Sequence, residues 1–300
     1  MLRARPGIQL TLLLSLCGCS APLGTSGTAP DDGADRTGED PSPQGEIIEP
    51  PIRIDDHDIS VDETSYAAKR QAVIDFMWGS QGLPEALPVV TKDVPSPVDG
   101  LVNLRRVDRL RIDMDGGETN FTEHFIAERS NGHLVILSVG HICKLGDKAS
   151  LEKNASLDAG VGQYRTLRAL LEHGYSVLVT YMPHMSPEAC QDVSHNALMK
   201  RQVSSGHPIK WFLEPVAVSL NHLKQGSDDV PKYRSYGMVG LSGGGWTTTL
   251  YAAIDPTIRT SVSVAGSIPI YLRSGSSLGD LEQTLPELYS IAGYPDLYVL

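Results

Sequence analysis

The chain has 300 residues, 41% of them hydrophobic and 20% charged, which suffices for a sizeable core and one large domain. Its net charge of -11 is concentrated in residues 20–64, where twelve acidic side chains face only Arg36 and Arg53, so the remainder is nearly balanced. With no basic field to track phosphates, nucleic acid is excluded as an expected partner.

Residues 1–18 read as an export signal: Arg3 and Arg5 form a positive start, and Ile8 to Leu16 is an apolar run too short to span a bilayer. Leu16-Cys17-Gly18-Cys19 resembles the lipobox of bacterial lipoproteins, which implies a lipid-modified Cys19 as the new N-terminus and a membrane anchor in the envelope. An ordinary signal peptide cut near Ala21 is the alternative. Residues 19–61 are rich in Gly, Ser, Thr, Pro and acidic side chains, with too little apolar surface to offset chain entropy, so they are expected to be a disordered acidic tether.

The folded domain is expected over 62–300. Ala67, Val73, Phe76 and Met77 recur at helical spacing, predicting a helix over about 64–78 that Gly79 and Pro84 end. Val107 to Met114 and Phe121 to Glu128 flank Asp115-Gly116-Gly117 and predict a hairpin at a sheet edge. His133 to Val139 predicts a strand buried on both faces, Gly162 to His173 a helix stopped by Gly174, and Tyr175 to Tyr181 a second buried strand. Phe212, Val216, Leu220 and Leu223 share a helix face despite Pro215, and Tyr236 to Leu241 forms a third buried strand. This succession predicts an α/β fold, a mostly parallel sheet with helices on both faces. Asp296 to Leu300 reads as a further strand. Cys143 and Cys190 are an even pair in an exported chain and are expected to be bridged; two buried thiols are the alternative.

Gly240-Leu241-Ser242-Gly243-Gly244 stands between the third buried strand and a helix starting near Thr247, the setting of a nucleophile elbow. So tight a turn crowds the backbone two residues either side of the serine, where Gly240 and Gly244 remove the clash. The turn lifts the Ser242 hydroxyl to the C-terminal edge of the sheet, and the Gly243 amide points where an oxyanion would develop.

Tyr236 to Arg259, with this elbow and the Ala252-Ala253-Ile254-Asp255-Pro256 that follows, resembles the α/β-hydrolase superfamily, and within it bacterial dienelactone-hydrolase and acetylxylan-esterase-like proteins. The resemblance implies a serine hydrolase acting on a small-molecule or carbohydrate ester without a cofactor, with a second oxyanion donor from the loop around Gly140-His141-Ile142. It also implies a triad in the order serine, acid, histidine, yet all nine histidines, from His57 to His222, precede Ser242. The sequence is therefore expected to be cut short, with the triad acid, the histidine and at least two strands beyond Leu300. Asp280, Glu282 and Glu287 precede the expected last strand and read as surface or loop carboxylates. His184, Cys190 and His195 match no standard zinc spacing; no metal site is read, and their loop is expected to bind substrate or form a lid. A peptidase of the same superfamily, or a non-catalytic envelope lipoprotein with this fold, are the competing functions.

Overall fold

A computed structural model describes residues 59–146, 161–191, 193–227, 229–273 and 278–300. The chain divides into two units, Met1–Glu49 and Pro50–Leu300, and the first lies wholly outside the described residues. The expected export signal, Cys19 and the tether up to residue 58 therefore also lie outside them.

Among its described residues the second unit has seven strands: β1 (Val89–Val94), β2 (Leu104–Asp113), β3 (Thr119–Ala127), β4 (His133–Ser138), β5 (Ser176–Thr180), β6 (Ser235–Leu241) and β7 (Ile258–Val264). Their order across the sheet is β1-β2-β3-β5-β4-β6-β7, with β5, β4, β6 and β7 parallel and the rest antiparallel. The helices are α1 (Tyr66–Trp78), α2 (Val161–Glu172), α3 (His195–Met199), α4 (Glu214–Gln225), α5 (Gly243–Ile254), α6 (Leu281–Thr284), α7 (Pro286–Tyr289) and α8 (Tyr294–Val299).

Alternation along the strands divides the apolar side chains between two layers. Leu134 and Ile136 of β4 and Leu178 of β5 face α1, α4 and α5, where Met77, Val216, Leu220, Trp246 and Leu250 are buried. Leu137, Val177 and Val179 face the other way and pack on Tyr164, Leu167 and Leu171 of α2. The expected α/β fold with helices on both faces is what forms. From β4 the chain crosses to β5 on one side, and then reaches β6 and β7 on the other. That reversal makes the carboxyl ends of β4 and β6 a topological switch point, where open sheets of this kind leave a crevice for ligands.

Three local expectations are corrected. The hairpin of β2 and β3 is not at the edge, because β1 pairs antiparallel with β2 outside it. β1 is mostly exposed and carries Lys92 and Asp93 inside it, so it lacks the apolar alternation that marks a strand. Phe212 belongs to a 3-10 turn, Pro208–Phe212, and α4 begins only at Glu214; Pro215 sits in its first turn, where no backbone donor is lost. Asp296 to Leu300 is helical: Pro295 starts α8, whose Tyr294 and Leu297 are buried, and the strand that follows the elbow helix is β7.

The tether also ends earlier than residue 61. The buried Asp296 carboxylate accepts the Ser60 amide (2.6 Å), the Ser60 hydroxyl (2.6 Å) and the Val61 amide (3.1 Å), and Val61 is itself buried. Replacing Asp296 with alanine leaves those donors unmatched and should cost about 2 kcal/mol, read as a lower urea midpoint at unchanged slope. Residues 59–61 should then become sensitive to limited proteolysis while the intact protein resists it.

Candidate active site

β6 runs into α5 through a single residue, Ser242, with φ 58° and ψ -126°. A left-handed φ on a residue with a side chain costs about 1–3 kcal/mol and persists only where surroundings impose it. Here the Ser242 amide donates to the Val264 carbonyl of β7 (2.8 Å), and its carbonyl accepts the Trp246 amide of α5 (3.1 Å). The side chain is exposed, and among the described residues its hydroxyl has no hydrogen-bond partner.

The glycines around it are required by contact. A Cβ on Gly240 would lie 2.0 Å from the Gly244 carbonyl oxygen, and one on Gly244 would lie 2.1 Å from the Ser138 carbonyl oxygen and 2.8 Å from the Gly140 nitrogen. The crowding expected between Gly240 and Gly244 is thus present, and it extends to the neighbouring strands. Gly140, with φ 72°, has its missing Cβ 2.6 Å from the Leu241 carbonyl oxygen and 3.5 Å from the Gly243 nitrogen. Gly266, just past β7, approaches so closely that a Cβ would stand 2.0 Å from the Ser242 carbonyl oxygen. Sequence reasoning missed Gly266 because it stands outside the pentapeptide motif.

Gly243 opens α5, so its N–H has no acceptor within the helix. A Cβ there would fall 2.5 Å from Met182 Sδ and 3.2 Å from His141 Cε1, so the His141 imidazole lies against the elbow. Of the expected oxyanion residues, Gly243 and His141 are thereby brought together. Ile142 is buried and its amide donates to the Gly140 carbonyl at 2.9 Å, which commits it to its own turn.

Cys143 and Cys190 are joined by a disulfide, tying the loop after β4 to the loop after β5. Beside that bridge His141 Nε2 and His195 Nε2 stand 2.9 Å apart, and His195 Nδ1 meets Glu282 Oε2 at 2.8 Å. The His195 ring also packs edge-on against Phe212, which packs edge-on against Trp246 of the elbow helix. Glu282 is fully buried, and its Oε1 has no hydrogen-bond partner among the described residues. Asp280 Oδ2 lies 4.0 Å from His195 Nδ1. The expectation that these are surface or loop carboxylates is corrected for Glu282, which is interior; Asp280, exposed in a loop beside a cavity, and Glu287 are exposed as expected. They follow β7, whose C-terminal end faces the site, and precede the helix α8.

The cavity has a volume of about 540 Å³ and is lined by His141, Pro183, Met185, His195, Asp280 and Leu281, among others. Ser242 is not in its wall; the two share His141 as their boundary. The trio of His184, Cys190 and His195 does not assemble, since Cys190 is in the disulfide and His184 Nε2 lies 2.8 Å from Glu118 Oε2. Other histidines serve structure: burial holds His124 down to about 3, against the Tyr233 hydroxyl, and His133 meets Ser235 at the opposite ends of β4 and β6. The pairing of His141 with His195 had a signal in the sequence, because each stands a few residues from a cysteine of the expected bridge.

No protein-family model and no curated protein matches the sequence. Solved structures match over part of their length. They include acetyl xylan esterase 1 from a Thermoanaerobacterium species, at 13% identity and TM-score 0.40 over 66% of this chain and 57% of that one. A glucuronoyl esterase from Solibacter usitatus matches at 13% identity and TM-score 0.41, over 77% of this chain and 65% of that one. The chain spans less than two thirds of the length of either.

Gly266→Ala forces a methyl into the Ser242 carbonyl and should cost about 1–3 kcal/mol in urea denaturation, as overpacking against backbone does. Gly162→Ala in α2, where a Cβ meets nothing within 4 Å, is the matched control and should be neutral or slightly stabilising.

Proposed function

We propose that this chain is a serine hydrolase that cleaves ester bonds through an acyl-enzyme on Ser242. The observation that carries the reading is the elbow itself: an exposed serine held at left-handed φ, at the switch point of a parallel sheet, by four close backbone approaches. A turn that merely joined a strand to a helix would have no need of that strain.

In the proposed reaction the Ser242 oxygen adds to the ester carbonyl carbon as its proton passes to a base. The tetrahedral intermediate then expels the alcohol, and water releases the acid from the acyl-enzyme. The negative oxygen would be received by the Gly243 amide at the start of α5 and by the His141 amide, the donor left in its loop once Ile142 is committed to Gly140. Losing one such donor is worth roughly 3 kcal/mol. A small-molecule or carbohydrate ester fits the open edge of the sheet. The N-terminal pattern from Arg3 to Cys19 supports, as part of the same reading, export and lipid anchoring at Cys19.

A fluorophosphonate probe should label the 300-residue chain at Ser242, and Ser242→Ala should abolish both labelling and hydrolysis of a p-nitrophenyl ester. Equal labelling of the two proteins, or none in either, overturns the reading. Arms with His141→Ala and His195→Ala report whether either imidazole takes the serine proton, since losing a general base lowers the rate about 10²–10⁴-fold.

A further inference from the structure

Three loops at the C-terminal edge of the sheet, one after β4, one after β5 and one after β7, bring His141, His195 and Asp280 to a single point beside the cavity. One ligand atom from each of these residues lies within 4.8 Å of the other two. We propose that these three side chains form a binding site for one divalent zinc-class cation, with its open coordination position turned to the 540 Å³ cavity.

The donor set is the first support. Two imidazoles and one carboxylate are the protein ligands of an open tetrahedral zinc site, in which a water or a substrate oxygen takes the fourth place. The geometry is the second. His141 Nε2 and His195 Nε2 are 2.9 Å apart, and ligands about 2.0–2.1 Å from a tetrahedral ion would stand a few tenths of an ångström farther apart. The ring centroids are 4.7 Å apart, closer than two imidazoles joined head-on through those nitrogens would hold them, so the nitrogens do not face each other directly. Asp280 is half exposed and can turn inward at little cost.

The support around His195 is the third and most telling. Its Nδ1 contacts Glu282, a carboxylate with no exposed surface, which fixes the ring and leaves Nε2 as the coordinating atom. Metal-bound histidines nearly always have such a partner on the other ring nitrogen, and the charge it supplies strengthens the ligand. Glu282 Oε1 is buried with no hydrogen-bond partner among the described residues, as expected where a nearby cation offsets the buried charge. The Cys143–Cys190 disulfide fixes two of the three loops relative to each other, so the site is preorganised.

No motif reveals this site, because its ligands come from three separate loops and share no spacing. Its function follows from where it opens: an ion here would bind a carboxylate or carbonyl oxygen of a ligand lying next to the elbow. The inference does not depend on Ser242 acting as a nucleophile, since the ion is read by its binding and not by turnover.

The test uses the full, untagged chain stripped with chelator and dialysed. Isothermal titration should show one Zn²⁺ per chain, and Co²⁺ should develop the visible absorption of a tetrahedral complex. His195→Ala and Asp280→Asn should each remove stoichiometric binding, and Glu282→Gln should weaken it about 10–100-fold, as loss of a supporting carboxylate does. Asp280→Asn lies at the surface and keeps the fold if His195→Ala does not, and His222→Ala, in α4, should bind as the parent does. A parent chain that takes up no Zn²⁺ at one equivalent overturns the proposal, as does binding that survives Asp280→Asn undiminished.

Discussion

Everything at the C-terminal edge of this sheet depends on how closely bare backbone can approach bare backbone around Ser242. Gly240, Gly244, Gly140 and Gly266 come from β6, the elbow helix, the β4 loop and the β7 loop, and each would place a Cβ within 2.6 Å of another segment's main-chain oxygen. Without side chains in the way, the ends of β4, β6 and β7 converge, and Ser242 is pinned between the Val264 carbonyl and the Trp246 amide. Its left-handed φ is thereby imposed from both sides. The opposing energy comes from α5, in which Trp246, Leu250, Tyr251 and Ile254 are all buried. Burial of each such side chain contributes about 1.5–3 kcal/mol, more than the strain at one residue.

That same approach positions what lies beyond the elbow. Gly243 has room for no side chain because Met182 and His141 already occupy its face, so the loop after β4 must follow the contour of the helix start. The disulfide carries the constraint outward to the loop after β5. Closing its 47-residue separation is worth about 4 kcal/mol in the chain-entropy account, a gain that comes from restricting the unfolded chain. Phe212 and Trp246 complete the path, since an edge-on file runs from the elbow helix to His195. The histidine pair is therefore attached to the elbow through both covalent and packed contacts.

The parts of the fold that were legible in sequence are those whose burial is written in apolar residues. β4 and β5 are continuous apolar runs because helices cover both their faces, and α2 shows its buried stripe at helical spacing. The elbow was legible because a tight turn admits few residues. β7 was not, since Arg259, Thr260, Ser261 and Ser263 are exposed or half-exposed and only Ile258 is fully covered. α8 read as a strand because Tyr294, Leu297, Tyr298 and Val299 suit a pleated surface; tertiary packing of Tyr294 and Leu297, with Asp296 holding Ser60, decides for the helix. Glu282 lies between those two elements, so its burial carries no signal in the sequence.

Glu282 also shows why burial of a charge is a better pointer to chemistry than burial of an apolar group. A carboxylate taken from water costs several kcal/mol unless its oxygens are matched, and here one oxygen meets His195 while the other has no partner among the described residues. A fold selected for stability alone gains by an apolar residue of the same volume at that place. The structure instead keeps an acid under a histidine, at the end of a parallel sheet, facing a cavity that abuts a strained serine. Incompletely matched polar groups of this kind concentrate where a protein binds or reacts, because only a ligand completes their hydrogen bonds or charge. The elbow and the histidine pair are thus two features of one edge, each holding an energetically unfavourable arrangement that the interior beneath it sustains.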